Sequence, residues 1–310
     1  MKTFRVQSRL MGSAFELGIV LDHETKAKGM LEYGLSEIRR IEALLSEFKP
    51  ASITSIVNQN AGKKPVEVND EFFSLIVRCI AISKLSQGCF DITVSPLKKL
   101  YSFKNQNFEM PEDETISQVL PCIGWDKIEL DPAQQTIQFH HPETRISFSA
   151  IGKGYASDRV KQLWMVEGIE SGYINASGDL NAFGLSAEGS PWKIGIAHPD
   201  HPKQTLMYIP LQNASAATSG DYEQFFMWNN TRYSHNLNPK TGLPLQGIKS
   251  VTVFSPGAEL SDALATAVYV MGSQKGISFV NQLPQTHCIL VDDQNQILFS
   301  QELIYEQVKA

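Results

Sequence analysis

From Lys26 to Phe48 the apolar residues Leu31, Leu35, Ile38, Ile41, Leu45 and Phe48 recur three or four apart with charges between them. That spacing lays one apolar stripe along a helix and predicts a long amphipathic helix over this range. A second is predicted from Asp70 to about Gln87, with Gly88 as its stop signal. Between them, K-P-A-S-I-T-S-I-V-N-Q-N-A-G reads as a turn and a short helical piece. Residues 105 to 114 are polar, with Met110-Pro111 as a breaker, and predict a surface loop. A third helix should follow Gly152, carrying Tyr155, Val160, Leu163 and Trp164. After it the period changes. Y-I-N-A, W-K-I-G-I-A, L-M-Y-I-P-L, S-V-T-V-F and H-C-I-L-V are short β-rich runs separated by Gly, Pro, Asn and Asp. Few helices lie between them, so the strands should be antiparallel and the fold α+β rather than a doubly wound parallel sheet. We expect two closely associated lobes within a single domain spanning 1–310, helix-rich over about 1–150 and β-rich over about 151–310.

Composition narrows the function without naming it. A chain that is 42% apolar and 19% charged is a soluble, folded protein. A net charge of -6, with no Lys/Arg cluster along one face, speaks against nucleic acid as a partner. No apolar stretch reaches the roughly 18 residues a membrane span needs, so an integral membrane protein is not expected. The opening M-K-T-F-R-V-Q-S-R-L-M-G lacks the apolar centre of a signal peptide. As read the chain is cytoplasmic, or periplasmic or membrane-anchored if a leader has been removed. Cys79, Cys89, Cys122 and Cys288 are widely spaced with no C-x-x-C, which predicts free thiols, with Cys79 in the core.

Candidate chemistry sits in short stretches. In S-D-A-L-A-T-A, Asp262 and Thr266 stand four apart, so on a helix they present two hard oxygen ligands to one point. A purely structural explanation is also available: Ser261 as the N-cap, Asp262 at the first helical position facing the helix dipole, and Thr266 bonded to its own backbone. A-I-G-K-G-Y-A is not a Walker loop, because Gly154 rather than Ser or Thr follows Lys153 and position 147 is Ser rather than Gly. A lysine at a helix start can still meet a phosphate; otherwise Lys153 is a solvated turn residue. I-N-A-S-G-D-L, with Asn175, Ser177 and Asp179, lacks a dinucleotide fingerprint and reads equally well as a tight hairpin. H-P-D-H-P at 198 to 202, and His140 with His141, read as exposed loops rather than metal sites. T-S-G-D-Y at 218 to 222 lacks the frame of a nucleophile elbow and reads as a cap or turn. His235 lies near the end of a predicted strand, before a turn rich in Asn, Pro and Gly.

In order along the chain, M-G-S-A-F, L-S-E-F, G-C-F-D-I-T-V-S-P-L, G-K-G-Y-A, S-G-D, T-S-G-D-Y, S-H-x-x-x-P-x-T-G-x-P and D-A-L-A-T-A resemble the ApbE family over nearly the whole length. These are FAD:protein FMN transferases, formerly called thiamine biosynthesis lipoproteins. The resemblance implies a mainly antiparallel sheet with flanking helices and two lobes around a flavin cleft. It further implies Mg²⁺, or another divalent ion such as Mn²⁺ or Ca²⁺, held by the Ala150 carbonyl, Asp262 and Thr266. FAD, as substrate, would be lined by Met11, Phe48, Cys89, Phe90, Asp91, Lys153 and Asn236, with Ser147 where the family commonly has Asp. The family's H-I-x-D-P appears here as His235-Asn236-Leu237-Asn238-Pro239, and its G-G-D turn as Ser177-Gly178-Asp179. The missing acids at 147 and 238 bear on adenosine recognition and turn geometry. The implied reaction moves FMN from FAD to a threonine hydroxyl of an acceptor flavoprotein, such as a subunit of a membrane redox complex, and releases AMP. In it Lys153 sets positive charge beside the phosphates and His235 accepts the hydroxyl proton. Two rival outcomes share the site: FAD pyrophosphatase activity, with water as the nucleophile, and FAD binding with little or no turnover.

Overall fold

The computed structural model describes residues 1–101, 110–201, 204–220, 225–229 and 231–307. Residues 105 to 109 of the expected polar loop, Pro202 of H-P-D-H-P, and Asp221 with Tyr222 of T-S-G-D-Y lie outside the described residues.

Eight strands form the central sheet, and they lie side by side in chain order: Lys2–Leu10, Ser13–Leu21, Gly172–Ala176, Asp179–Phe183, Ala214–Gly220, Ile248–Ser255, His287–Asp292 and Ile297–Phe299. Every neighbouring pair is antiparallel, as the short β-rich runs predict. The first two strands fall in the half expected to be helix-rich. Phe15 lies opposite Ala176 and Leu17 opposite Ile174, so the chain from 22 to 171 is an excursion between the second and third strands. The helices Glu24–Leu45, Asp70–Leu85 and Gly152–Val166 belong to that excursion, and Ala258–Met271 follows the sixth strand.

Side chains alternate across a sheet, so each strand serves two cores. On one face Leu17, Ile19, Ile174, Val251 and Val253 pack with helix residues Ile38, Ile41, Trp164, Leu264 and Val268. Trp164 is fully buried, and its indole N–H donates to the Met30 carbonyl at 2.8 Å. On the other face Tyr173, Ala182, Ala216, Phe254 and Ile289 meet Ile196, Met207, Ile209 and Leu211. Those four belong to a small sheet of Trp192–Ala197, Thr205–Leu211 and Glu306–Gln307. Burying one such Leu, Ile or Val side chain contributes about 1.5–3 kcal/mol, several times any difference in strand or helix propensity. The two apolar faces therefore fix the sheet's register.

Two predicted helix ends move. The first helix stops at Leu45, because Ser46 turns to extended backbone (ψ 126) and its N–H closes on the Glu42 carbonyl at 3.1 Å. Phe48 thus leaves the apolar stripe and stands 87% exposed. The second helix stops at Leu85, with Ser86 as cap and left-handed backbone at Gln87 and Gly88 (φ 52 and 76). Cys79 is fully buried, as expected.

An ion cluster ties the first three of these helices together. Arg40 donates to both oxygens of Glu37 at 2.8 and 2.7 Å and to both of Glu71 at 2.6 and 2.7 Å. Glu71 also accepts from the Tyr155 hydroxyl at 2.6 Å. The Arg40 hydrogen bonds hold both carboxyls below their ordinary range. A carboxyl lowered in the folded state adds stability above its ordinary pKa and withdraws it as pH falls through the lowered value. Arg40→Met leaves the buried Glu37 with only Arg159, 3.5 Å away, as a cation. At pH 7 we expect a loss of about 1–2 kcal/mol, moderated by the half-exposed guanidinium. Denaturant melts between pH 7 and 3 should show a shallower acid slope in the variant than in wild type.

Candidate active site

The site is built where the N-termini of two helices, Gly152–Val166 and Ala258–Met271, cross. A Cβ added at Gly154 would stand 2.2 Å from the Ala258 carbonyl oxygen and 2.9 Å from the Asp262 Cβ, so only glycine permits the approach. Its backbone N–H donates to Asp262 Oδ2 at 3.1 Å. One turn further along, the Asp158 carboxylate accepts from the backbone N–H groups of Ala258 (2.9 Å) and Glu259 (2.8 Å), and from Asn181 Nδ2 (2.8 Å). Asp158 is therefore the cap of the neighbouring helix, supplied from outside it.

This geometry corrects the structural explanation of Asp262. The helix begins at Ala258 with Gly257 as its N-cap, so Ser261 caps nothing and Asp262 lies in the second turn. The Ser261 hydroxyl instead pairs with Ser255 Oγ at 2.8 Å. Asp262 is only 6% exposed, and burial pushes its carboxyl up to about 7 while Lys153 pulls it down and Asp179 adds to the rise.

Asp262 and Thr266 open into a cavity of about 1270 Å³. At the same end, Lys153 Nζ donates to Asp179 Oδ2 at 2.6 Å, and Asp179 Oδ1 accepts from the Thr218 N–H at 2.9 Å. The Ser219 and Thr266 hydroxyls lie 3.2 Å apart. His235 reaches the cavity from the end of the Thr231–Ser234 strand, where the Ser234 N–H donates to the Leu245 carbonyl and Leu237 pairs with Pro244. Asn238 closes this turn: its Oδ1 accepts from the Lys240 N–H at 2.9 Å, the bond a carboxylate there would make. The missing acid at 238 leaves the turn intact.

A further wall comes from the segment after the second helix. Asp91 accepts from the Thr93 N–H (2.8 Å) and hydroxyl (2.6 Å) and from the Trp125 N–H (2.8 Å), while burial pushes its carboxyl up. Ser86 Oγ fixes the Phe90 N–H at 3.1 Å, and burial raises the Cys89 thiol.

Among the expected site residues, Phe48, Cys89, Phe90, Asp91, Ala150, Lys153, His235, Asn236, Asp262 and Thr266 all line the one cavity. Met11 and Ser147 do not. Arg9 and Gly12 line the wall on either side of Met11, whose own side chain turns toward the main core and Gly152. Ser147 is buried behind the wall and meets it through Glu47 Oε1 at 2.8 Å. The cavity is also lined by polar residues outside the expected set, among them Asp179, Ser219 and Glu47. Their sequence context predicts a hairpin at Asp179 and a cap or turn at Ser219. The hairpin is real, with positive φ at Ser177 and Gly178 (55 and 102), but it also aims Asp179 at Lys153.

The donor set at the helix crossing suits a hard divalent cation. Asp262 supplies a buried carboxylate whose raised pKa a bound cation would reverse, and Thr266 and Ser219 supply neutral oxygens. Lys153 adds a cation of its own for an anionic substrate.

An antiparallel sheet packed on both faces thus holds, at a helix crossing, a cavity whose lining gathers Lys153, Asp179, Asp262 and Thr266. The chain belongs to the ApbE family, whose sequence model matches residues 11–290. The FAD:protein FMN transferase of Haemophilus influenzae is 28% identical over 286 residues, covering 89% of this chain and 83% of its own. The protein of the same name from Escherichia coli K12 is 27% identical over 283 residues, covering 89% and 81%. Among solved structures, the ApbE protein of Thermotoga maritima matches with a TM-score of 0.89 at 29% identity over 97% of each chain. The flavin transferase ApbE of Vibrio cholerae shares the fold, with a TM-score of 0.85 at 24% identity over 96% of each chain.

Removing the cap tests how this site is held. Asp158→Ala strips two N–H groups of their acceptor at the helix end. It should cost about 1–3 kcal/mol in a denaturant melt. A change within a few tenths of a kcal/mol would show that the crossing does not depend on Asp158.

Proposed function

We propose that this chain is a Mg²⁺-dependent FAD:protein FMN transferase, moving FMN from FAD to a threonine hydroxyl of an acceptor flavoprotein and releasing AMP. The transferase class follows from the family and from the names of its relatives. The observation that carries the finer reading is the gathering of Lys153, Asp179, Asp262 and Thr266 at one end of a cavity large enough for a dinucleotide.

Asp262 and Thr266, with the Ala150 carbonyl, would hold the cation, which when bound neutralises charge on the diphosphate oxygens and orients them. Lys153 sits beside the same oxygens, held in place by Asp179. His235 accepts the proton of the attacking threonine hydroxyl, a task suited to a neutral imidazole near pH 7. The threonine oxygen forms a bond to the flavin-side phosphorus. The bond from that phosphorus to the bridging oxygen breaks, and AMP departs with the electron pair. Water in place of threonine would give FMN and AMP from the same arrangement.

Two measurements test this. With FAD, Mg²⁺ and a threonine-bearing acceptor domain, AMP release should depend on the acceptor. Release at the same rate without it would identify a pyrophosphatase, and unchanged FAD a binding protein. Asp262→Asn keeps the side chain's shape and removes its charge. It should lower Mg²⁺-dependent turnover by about 10²-fold or more while the melt stays near wild type. Undiminished turnover would remove Asp262, and Thr266 with it, from the cation site.

A further inference from the structure

Also on the cavity wall, and far from Lys153 and Asp262 in sequence, stands a polar group that the reaction described above does not use. Glu47 lines the cavity directly after the first helix. Its Oε1 accepts from Ser147 Oγ at 2.8 Å and its Oε2 from Ser95 Oγ at 3.0 Å. Each carboxylate oxygen has two lone-pair directions, so the two serines leave accepting capacity on both oxygens. Phe48, the next residue, offers an exposed flat ring, and both residues line the same cavity. Lys98, also on the wall, donates to Ser149 Oγ at 2.7 Å; burial pushes its ammonium pKa down and the Glu47 charge partly offsets this. This region therefore presents a fixed acceptor, a cation and an aromatic face.

We propose that Glu47 is a specificity-determining residue that accepts hydrogen bonds from the adenosine half of the substrate, with Phe48 stacking on the base; this rests on the reading of the cavity as an FAD site. Adenosine carries vicinal ribose hydroxyls and an exocyclic amine, all donors, beside a planar base. A carboxylate with one free lone pair on each oxygen suits the paired hydroxyls, the recognition used for nucleoside ribose elsewhere. The flavin ring offers mostly acceptors, so on that arm only the flexible ribityl hydroxyls could donate, without a rigid ribose pair beside a base; the FMN titration below separates the two arms. The diphosphate belongs with Lys153 and the cation ligands, which leaves Glu47 for one of the two nucleoside arms.

Glu47 also joins three chain segments, so a purely structural role must be separable. Glu47→Gln separates it, because a serine hydroxyl can accept from the amide as readily as donate to it, and both serine contacts survive. Ser147 Oγ lies within hydrogen-bond reach of Glu47 Oε1, so Ser147→Asp in the Glu47→Gln background returns a carboxylate to nearly the same place.

The experiment titrates FAD, FMN and AMP into the full chain, using flavin fluorescence for the first two and calorimetry for AMP. Glu47→Gln should weaken FAD and AMP about tenfold, the loss expected for one charge-assisted hydrogen bond, and leave FMN unchanged. Glu47→Gln with Ser147→Asp should recover most of the FAD affinity. Equal weakening of all three ligands, or of FMN alone, would overturn the adenosine assignment, as would unchanged FAD affinity in Glu47→Gln. Wild-type chain that binds FMN and AMP but not FAD would instead overturn the FAD reading of the cavity.

Discussion

Everything in the site depends on how closely two helix ends approach. With no side chain at Gly154, the Ala258 carbonyl can sit where a Cβ would otherwise be. That contact brings the N-terminal turn carrying Lys153 against the second turn carrying Asp262. Asp158 then closes the crossing by capping the helix that lacks a cap of its own. Without the approach, Asp262 would reach water, its carboxyl would ionise in the ordinary range, and little would distinguish it from a surface acid. The crossing turns a small, apolar helix into a carrier of a buried charge.

Charge balance follows from the same geometry. Lys153 is shared between a direct ion pair with Asp179 and a longer-range pull on Asp262. Two acids against one lysine leave the crossing short of positive charge; in the proposed reading a divalent cation would supply it, and only with that cation in place would a diphosphate be drawn there. The antiparallel sheet supplies the rest of the arrangement. Asp179, Thr218 and Ser219 come from neighbouring strands, and their register is fixed by the two apolar faces rather than by the site. Stability and chemistry are thus carried by different residues of the same strands, alternating along them.

Local patterns made most elements legible. Three long helices and the antiparallel strand runs follow from period and punctuation. In Lys2–Leu10 burial alternates along R-V-Q-S-R-L, the period of a strand, although the same opening also has the length of a targeting segment and lacks only its apolar centre. What the sequence could not show is pairing at a distance. Ser261 looks like a cap because Ser commonly is one; the actual cap lies 100 residues earlier, on another helix. Asp179 looks like a turn residue and is one, yet the turn also positions it. Ser147 looks like a lost acid, and only the folded chain shows Glu47, 100 residues away, holding a carboxylate beside it. Motif order, by contrast, resembles a family from end to end, and the family's sequence model matches residues 11–290.

The central claim is that the helix crossing at Gly154 holds a divalent cation against a diphosphate. Crystals soaked with FAD and Mn²⁺ and measured at the manganese absorption edge locate that ion directly. The account predicts one strong anomalous peak bonded to the Asp262 carboxylate and the Thr266 hydroxyl, at about 2.1–2.3 Å, with phosphate oxygens between it and Lys153. A diphosphate bound elsewhere in the cavity, or manganese held by other residues with Asp262 still bonded only to protein, would contradict it.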